Sequence, residues 1–88
     1  MIAKLGKKVC LLREAAGITQ TELALSLGLS PRSKGFISEV ESSRKLPSVE
    51  LVVQLAERFG VSTDYLLRDD LPIQAIDAGA DNQLKLTP

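Results

Sequence analysis

The sequence predicts an all-α domain built from five short helices. Three observations carry that prediction. Apolar residues recur at steps of three and four through the first two-thirds of the chain. Hydroxyl residues suited to opening helices, and glycines suited to closing them, punctuate these stretches. The apolar fraction of 44% is mostly Leu, Val, Ile and Ala, with Phe36, Phe59 and Tyr65 as the only aromatics, which suits a miniature helical core better than a β-sandwich. Nothing before residue 71 reads as a strand. The 88 residues leave room for one core, and a chain of this size buries only about 60% of its unfolded surface, so the fold must be economical.

Ile2, Leu5, Val9 and Leu12 fall on one face of a first helix that ends before Gly17. Thr19-Gln20-Thr21-Glu22 then forms a capping box, in which the Thr19 hydroxyl accepts from the Glu22 amide and the Glu22 carboxylate accepts from the Thr19 amide. The second helix carries Leu23, Ala24 and Leu27 inward, and Gly28 can close it in the left-handed conformation. Ile37 and Val40 are the inward pair of a short third helix, whose start has two readings. Ser33 can cap it; alternatively Ser30-Pro31, a cap followed by proline in the first turn, starts it three residues earlier with Gly35 inside. Ser48 caps a fourth helix with the stripe Leu51, Val52, Leu55, Ala56 and Phe59, stopped by Gly60. Ser62 opens a brief fifth with Leu66 and Leu67 facing in. Residues 1–70 thus make the domain, and 71–88 a tail. In the tail Leu71, Ile73, Ile76, Leu84 and Leu86 remain as isolated apolar points, and residues 84–87 alternate like a strand. It is read as a partly disordered terminus, or as a segment packed on a neighbouring subunit.

Composition narrows the function classes. The chain has no His, and Cys10 is its one cysteine, so a His or Cys metal site, a disulfide and a histidine-based triad are all out of reach. Catalysis, a metal and a cofactor are therefore not expected. The apolar run Val9-Cys10-Leu11-Leu12 is too short for a signal-peptide core, and nothing approaches the ~20 residues needed to span a bilayer, which points to a reducing, cytoplasmic setting without membrane attachment. Net charge is zero, yet residues 1–45 hold eight Lys/Arg against four Glu, and residues 46–88 three against seven acids. A basic front half suits an anionic partner; equally, scattered charge keeps both surfaces soluble.

Two short helices joined by a tight connection around a shared apolar interior describe a helix-turn-helix. The ordered set Arg13-Glu14-Ala15-Ala16-Gly17-Ile18-Thr19-Gln20, Glu22-Leu23-Ala24, Leu27-Gly28, Ile37-Ser38-Glu39-Val40-Glu41, Leu46-Pro47-Ser48, Leu55-Ala56 and Gly60-Val61-Ser62-Thr63-Asp64-Tyr65-Leu66-Leu67 closely resembles the XRE-type helix-turn-helix domain of the phage repressor and Cro family. The resemblance covers about residues 5–68. It implies a lambda-repressor-like five-helix bundle that binds double-stranded DNA, usually as a homodimer on palindromic operators, and so a small transcriptional regulator, a dimeric repressor.

Transferred by position, the resemblance puts Thr19, Gln20 and Thr21 at the start of the helix lying across the phosphate backbone. Helix-start amides and short polar side chains suit that task, with Thr19 also capping. Ser33 to Glu41 matches the recognition helix, with Lys34, Gly35, Ser38 and Glu39 outward. Lys34 can donate to guanine and Glu39 can accept from cytosine N4, or Glu39 points along the groove. Phe36 contacts a thymine methyl or is partly buried. Arg44 and Lys45 follow the recognition helix, where relatives grip the backbone. Arg13 and Glu41 match positions that pair between the first and third helices.

Two departures stand out. The connection from Leu29 to Phe36 is about three residues longer than usual, which leaves the register of Arg32, Ser33 and Lys34 open and adds cations near the helix start. Ser42-Ser43 replaces the usual Glu-x-Gly ending, so Ser43 is expected in a left-handed conformation at modest cost. An alternative function is the antitoxin of a toxin–antitoxin pair, the tail or the acidic half holding a partner protein (a toxin or co-regulator). A third is an adaptor that has lost DNA binding.

Overall fold

The computed structural model describes residues 2–73. They form α1 (Leu5–Ala15), α2 (Gln20–Ser26), α3 (Lys34–Glu41), α4 (Val49–Phe59) and α5 (Thr63–Leu67), with a 3-10 turn over Pro31–Ser33 running straight into α3. Among the described residues there is no strand.

Local chemistry sets the helix ends. Thr19 Oγ1 accepts from the Glu22 amide at 3.0 Å and Glu22 Oε1 accepts from the Thr19 amide at 2.8 Å, completing the capping box of α2. Ser48 Oγ accepts from the Leu51 amide and Ser62 Oγ from the Tyr65 amide, capping α4 and α5. At the other ends, α1 to α4 close in one way. A residue of positive φ follows the helix, its amide and the next one bonding back to the carbonyls three and five residues earlier. Three of these closures use Gly17, Gly28 and Gly60; the fourth, after α3, uses Ser43 with φ at +65°.

α1 has no cap of its own, since the Lys4 side chain makes none. Asp69, more than sixty residues away, supplies it. Its carboxylate accepts from the Ala3 amide at 2.9 Å and the Lys4 amide at 3.0 Å, tying the start of α1 to the segment after α5. These two backbone bonds hold the Asp69 carboxyl below its ordinary pKa.

The core gathers Leu5, Val9 and Leu12 from α1 with Leu23 and Ala24 from α2, Ile37 from α3, and Leu51, Leu55 and Leu66 from the last two helices. Full burial of each large aliphatic side chain is worth about 1.5–3 kcal/mol. α1 packs against α3, α4 and α5, while α2 packs on α3 and the 3-10 turn. The first helix is thus the post around which the others stand.

Three sequence expectations need correction or completion. Ile2 precedes α1 and is 38% exposed, so it is not part of that helix's buried stripe. The buried face of α1 instead includes Lys8 together with Leu5, Val9 and Leu12. Its ammonium donates to the carbonyls of Tyr65 and Arg68 at the end of α5 and lies 4.5 Å from the centre of the Tyr65 ring. Burial, with Lys4 nearby, lowers its pKa from the usual lysine value. Finally, Ser33 does not cap the third helix: its side chain makes no capping bond, whereas Ser30 Oγ accepts from the Arg32 amide at 3.1 Å. Of the two readings of this start, the Ser30-Pro31 one describes the structure, because proline's missing N–H and fixed φ suit a first turn.

Leu71 and Ile73 are half-buried, and the Leu71 amide donates to the Arg68 carbonyl. The expectations for Ile76, Leu84, Leu86 and the strand-like 84–87 segment, including a neighbouring subunit or toxin held there, fall outside the described residues.

Candidate nucleic-acid interface

α2 and α3 are oriented by an ionic cluster between α1, α2 and α3. Arg13 donates from Nε to Glu41 Oε2 at 2.7 Å and from Nη2 to Oε1 at 3.2 Å, a two-pronged fork. Arg13 Nη1 also donates to the Ile18 carbonyl at 2.9 Å, and Gln20 Nε2 donates to Glu41 Oε1 at 3.0 Å. The Arg13 and Glu41 side chains are only 14% and 6% exposed. Hydrogen bonding to Glu41 raises the Arg13 pKa further above its usual value, so the guanidinium stays charged. Cys10 lies beside it, and burial together with the nearby Glu41 and Glu14 pushes its thiol pKa up. A thiol so raised is an inert packing group.

Gly6 brings α1 against the end of α3. A Cβ there would stand 2.7 Å from the Glu41 carbonyl oxygen, and nearer still to that of Val40. Only glycine permits this approach, which brings the end of α3 within reach of Arg13.

α3 itself is anchored by Ile37, 1% exposed, and Val40, 3% exposed. Phe36 is half-buried against the core. Gly35 and Ser38 face outward and are exposed, as are Arg32 and Lys34 near the helix start. Thr21 and Ser33 are half-buried, and Thr19 is exposed at the start of α2. After α3, the Ser43 turn folds the chain back. The Glu39 carbonyl accepts from the Arg44 amide at 2.8 Å, the Lys45 amide at 3.3 Å and the Ser42 hydroxyl at 3.2 Å. Lys45 and Arg44 are therefore set at the end of α3 by backbone hydrogen bonds.

The electrostatics of this surface are uneven. Lys45 lies 3.4 Å from Glu39, both side chains being substantially exposed, so each partly neutralises the other. Arg32, Lys34 and Arg44 have no side-chain partner among the described residues. The 3-10 turn and α3 together run about 18 Å at ~2.0 and ~1.5 Å per residue. Unpartnered cations thus flank a helix about as long as a DNA major groove is wide, at about 12 Å, plus its phosphate edges. Among the described residues, no group of His, Cys, Asp or Glu is arranged to hold a metal ion. No helix among them is long and apolar enough to cross a membrane.

Of the residues singled out in the sequence, the structure joins Gln20 to the Arg13–Glu41 pair and Glu39 to Lys45, and sets Arg32, Ser33 and Lys34 on the first turn of one continuous helical run. Lys8, Gly6 and Asp69 were not anticipated. The first two carried a signal, a lysine within an apolar stripe and a glycine inside a helix; the long-range cap by Asp69 carried none.

Residues 11–66 match the family model described as helix-turn-helix, over the α1–α5 scaffold just described. The chain belongs to the XRE-type helix-turn-helix family. A relative from Bacillus subtilis (strain 168), named HTH-type transcriptional regulator ImmR, is 35% identical over 66 residues, covering 75% of this chain and 50% of the relative. The chain therefore spans about half the length of that curated relative. No solved structure matches it significantly. The matched residues include α2, the 3-10 turn over Pro31–Ser33 and α3.

Proposed function

We propose that this domain is a sequence-reading, double-stranded-DNA-binding transcriptional regulator, a dimeric repressor working in the cytoplasm. The observation that carries the reading is α3: pinned inward by Ile37 and Val40, exposed outward, and flanked by cations that have no side-chain partner among the described residues. In the major groove, Lys34, Ser38 and Glu39 meet base edges, with Arg32 and Ser33 at the groove's rim. Arg44 and Lys45 hold phosphates beyond the far end, and Thr19, Gln20 and Thr21 meet the phosphate backbone at the start of α2. The Gln20 amide keeps a second N–H for this while its first holds Glu41. Glu39 approaches DNA already balanced by Lys45, which lowers the cost of bringing a carboxylate near phosphates. The name of the Bacillus relative supports regulation of transcription. Val49 and Val53, one turn apart on α4 and 81% and 41% exposed, support docking of a second copy.

Selection of bound sequences from a random duplex pool at moderate salt tests the proposal. Enrichment of an inverted repeat with half-sites about one helical turn apart is the expected result. No enrichment, with a weak affinity that vanishes as salt rises, leaves only charge attraction and overturns it.

A further inference from the structure

Five glycines lie among the described residues, and the fold accounts for four. Gly17, Gly28 and Gly60 have positive φ, and Gly6 sits where α1 meets the carbonyls of α3. Gly35 differs on both counts. Its φ lies outside the left-handed region, and a Cβ built on it would meet nothing within 4 Å. It is exposed, in the second position of α3 and inside the continuous helical run from Pro31 to Glu41. Glycine weakens a helix interior relative to alanine, because it has more backbone freedom to lose. The fold is therefore weakened by Gly35 without any packing or backbone need that explains it.

Its position supplies another reason. Arg32 lies three residues before it, and Ser38 and Glu39 lie three and four residues after, so Gly35 is at the centre of the outward face. An exposed glycine at such a place allows a second molecule to come against the helix backbone.

We propose that Gly35 is the point of closest approach between α3 and the DNA duplex, a positioning residue whose missing side chain sets how deep the helix sits in the groove. This inference rests on the DNA-binding reading above. With a methyl group at position 35, the helix stands off from the base edges. Ser38 and Glu39 then lose the 2.7–3.2 Å separations that hydrogen bonds require. The cations at the two ends, on long flexible stems, still reach phosphates. Sequence reading and non-specific attraction are thereby separable.

The experiment compares wild type, Gly35→Ala and Gly35→Gln, as full chains, on the duplex enriched by wild type and on a scrambled duplex, alongside thermal melts. For Gly35→Ala the expected result is a Tm raised by about 2–8 °C. Affinity for the enriched duplex should fall about tenfold or more, with scrambled-duplex affinity and its salt dependence unchanged. Gly35→Gln should lose more, because its side chain is longer. A variant that binds the enriched duplex as wild type does overturns the inference, and so does a lowered Tm for Gly35→Ala, which would make the glycine structural. Failure of wild type to enrich any duplex is distinguishable from both: it removes the DNA-binding reading, and this inference with it.

Discussion

Glu41 is held by three donors, two from Arg13 and one from Gln20, and its side chain is nearly out of solvent. A pair so placed gains its value from completeness rather than from bare attraction. Removing one partner strands the other charge in a poorly solvated place, which costs about 3–5 kcal/mol. Glu41→Ala should therefore lower the denaturant midpoint by that equivalent, and weaken DNA binding through loss of α3 orientation; an unchanged melt would refute the structural role. Ser43 presents the opposite case. It occupies the left-handed conformation that glycine fills at the ends of α1, α2 and α4, and a side chain there costs about 1 kcal/mol or somewhat more. Ser43→Gly should raise the Tm by several degrees while leaving Arg44 and Lys45 in place, as read by calorimetry and a phosphate-dominated affinity at low salt.

At the scale of elements, the ends of α1 and α5 depend on one another. Asp69 caps α1 from beyond α5, and Lys8 of α1 satisfies the last carbonyls of α5 from inside the core. Each helix thus closes orphan backbone groups of the other, which short helices cannot do alone. The Asp69 contribution has a defined pH dependence. Its folded pKa is depressed, so the stabilisation is fully present above the ordinary carboxylate pKa and is lost as pH falls through the lowered folded value. Thermal melts from pH 7 to pH 2 should show wild type more stable than Asp69→Asn at neutral pH, with the gap closing below about pH 4. A gap that persists undiminished at pH 2 would mean the carboxylate is not the cap.

For the whole molecule, α1 serves as the central post, and α3 is presented on one side while α4 exposes Val49 and Val53. If two copies meet through that α4 face, two recognition helices act on one duplex, and the second contact gains from the first about a hundredfold or more in affinity. Val53→Asp should then give a monomer by sedimentation, with a Tm that no longer rises with protein concentration, and an operator affinity reduced by about that factor. Wild type that stays monomeric at high concentration, with Val53→Asp binding as well as it does, would remove the dimer.

Local patterns determined most of the fold. Apolar spacing placed Leu5, Val9, Leu12, Leu23, Leu51, Leu55 and Leu66 in the core, while Thr19, Ser48 and Ser62 marked helix starts, because both signals act within one or two turns. Arg13, Gln20, Glu39, Glu41, Arg44 and Lys45 stand out as a set through the family resemblance, which matches them by position rather than by any local pattern. What the tertiary structure decided depends on groups distant in sequence. Gly6 meets the end of α3, Lys8 meets the carbonyls of α5, and Asp69 finds the amides of Ala3 and Lys4. The start of the helical run is also read from the structure: the sequence offers Ser30 and Ser33 as caps, and Ser30, followed by Pro31, makes the capping bond, with Pro31–Ser33 packed on α2. Capping and periodicity are short-range properties that a sequence displays directly; contacts between groups distant along the chain are made by packing, which only the folded chain reveals.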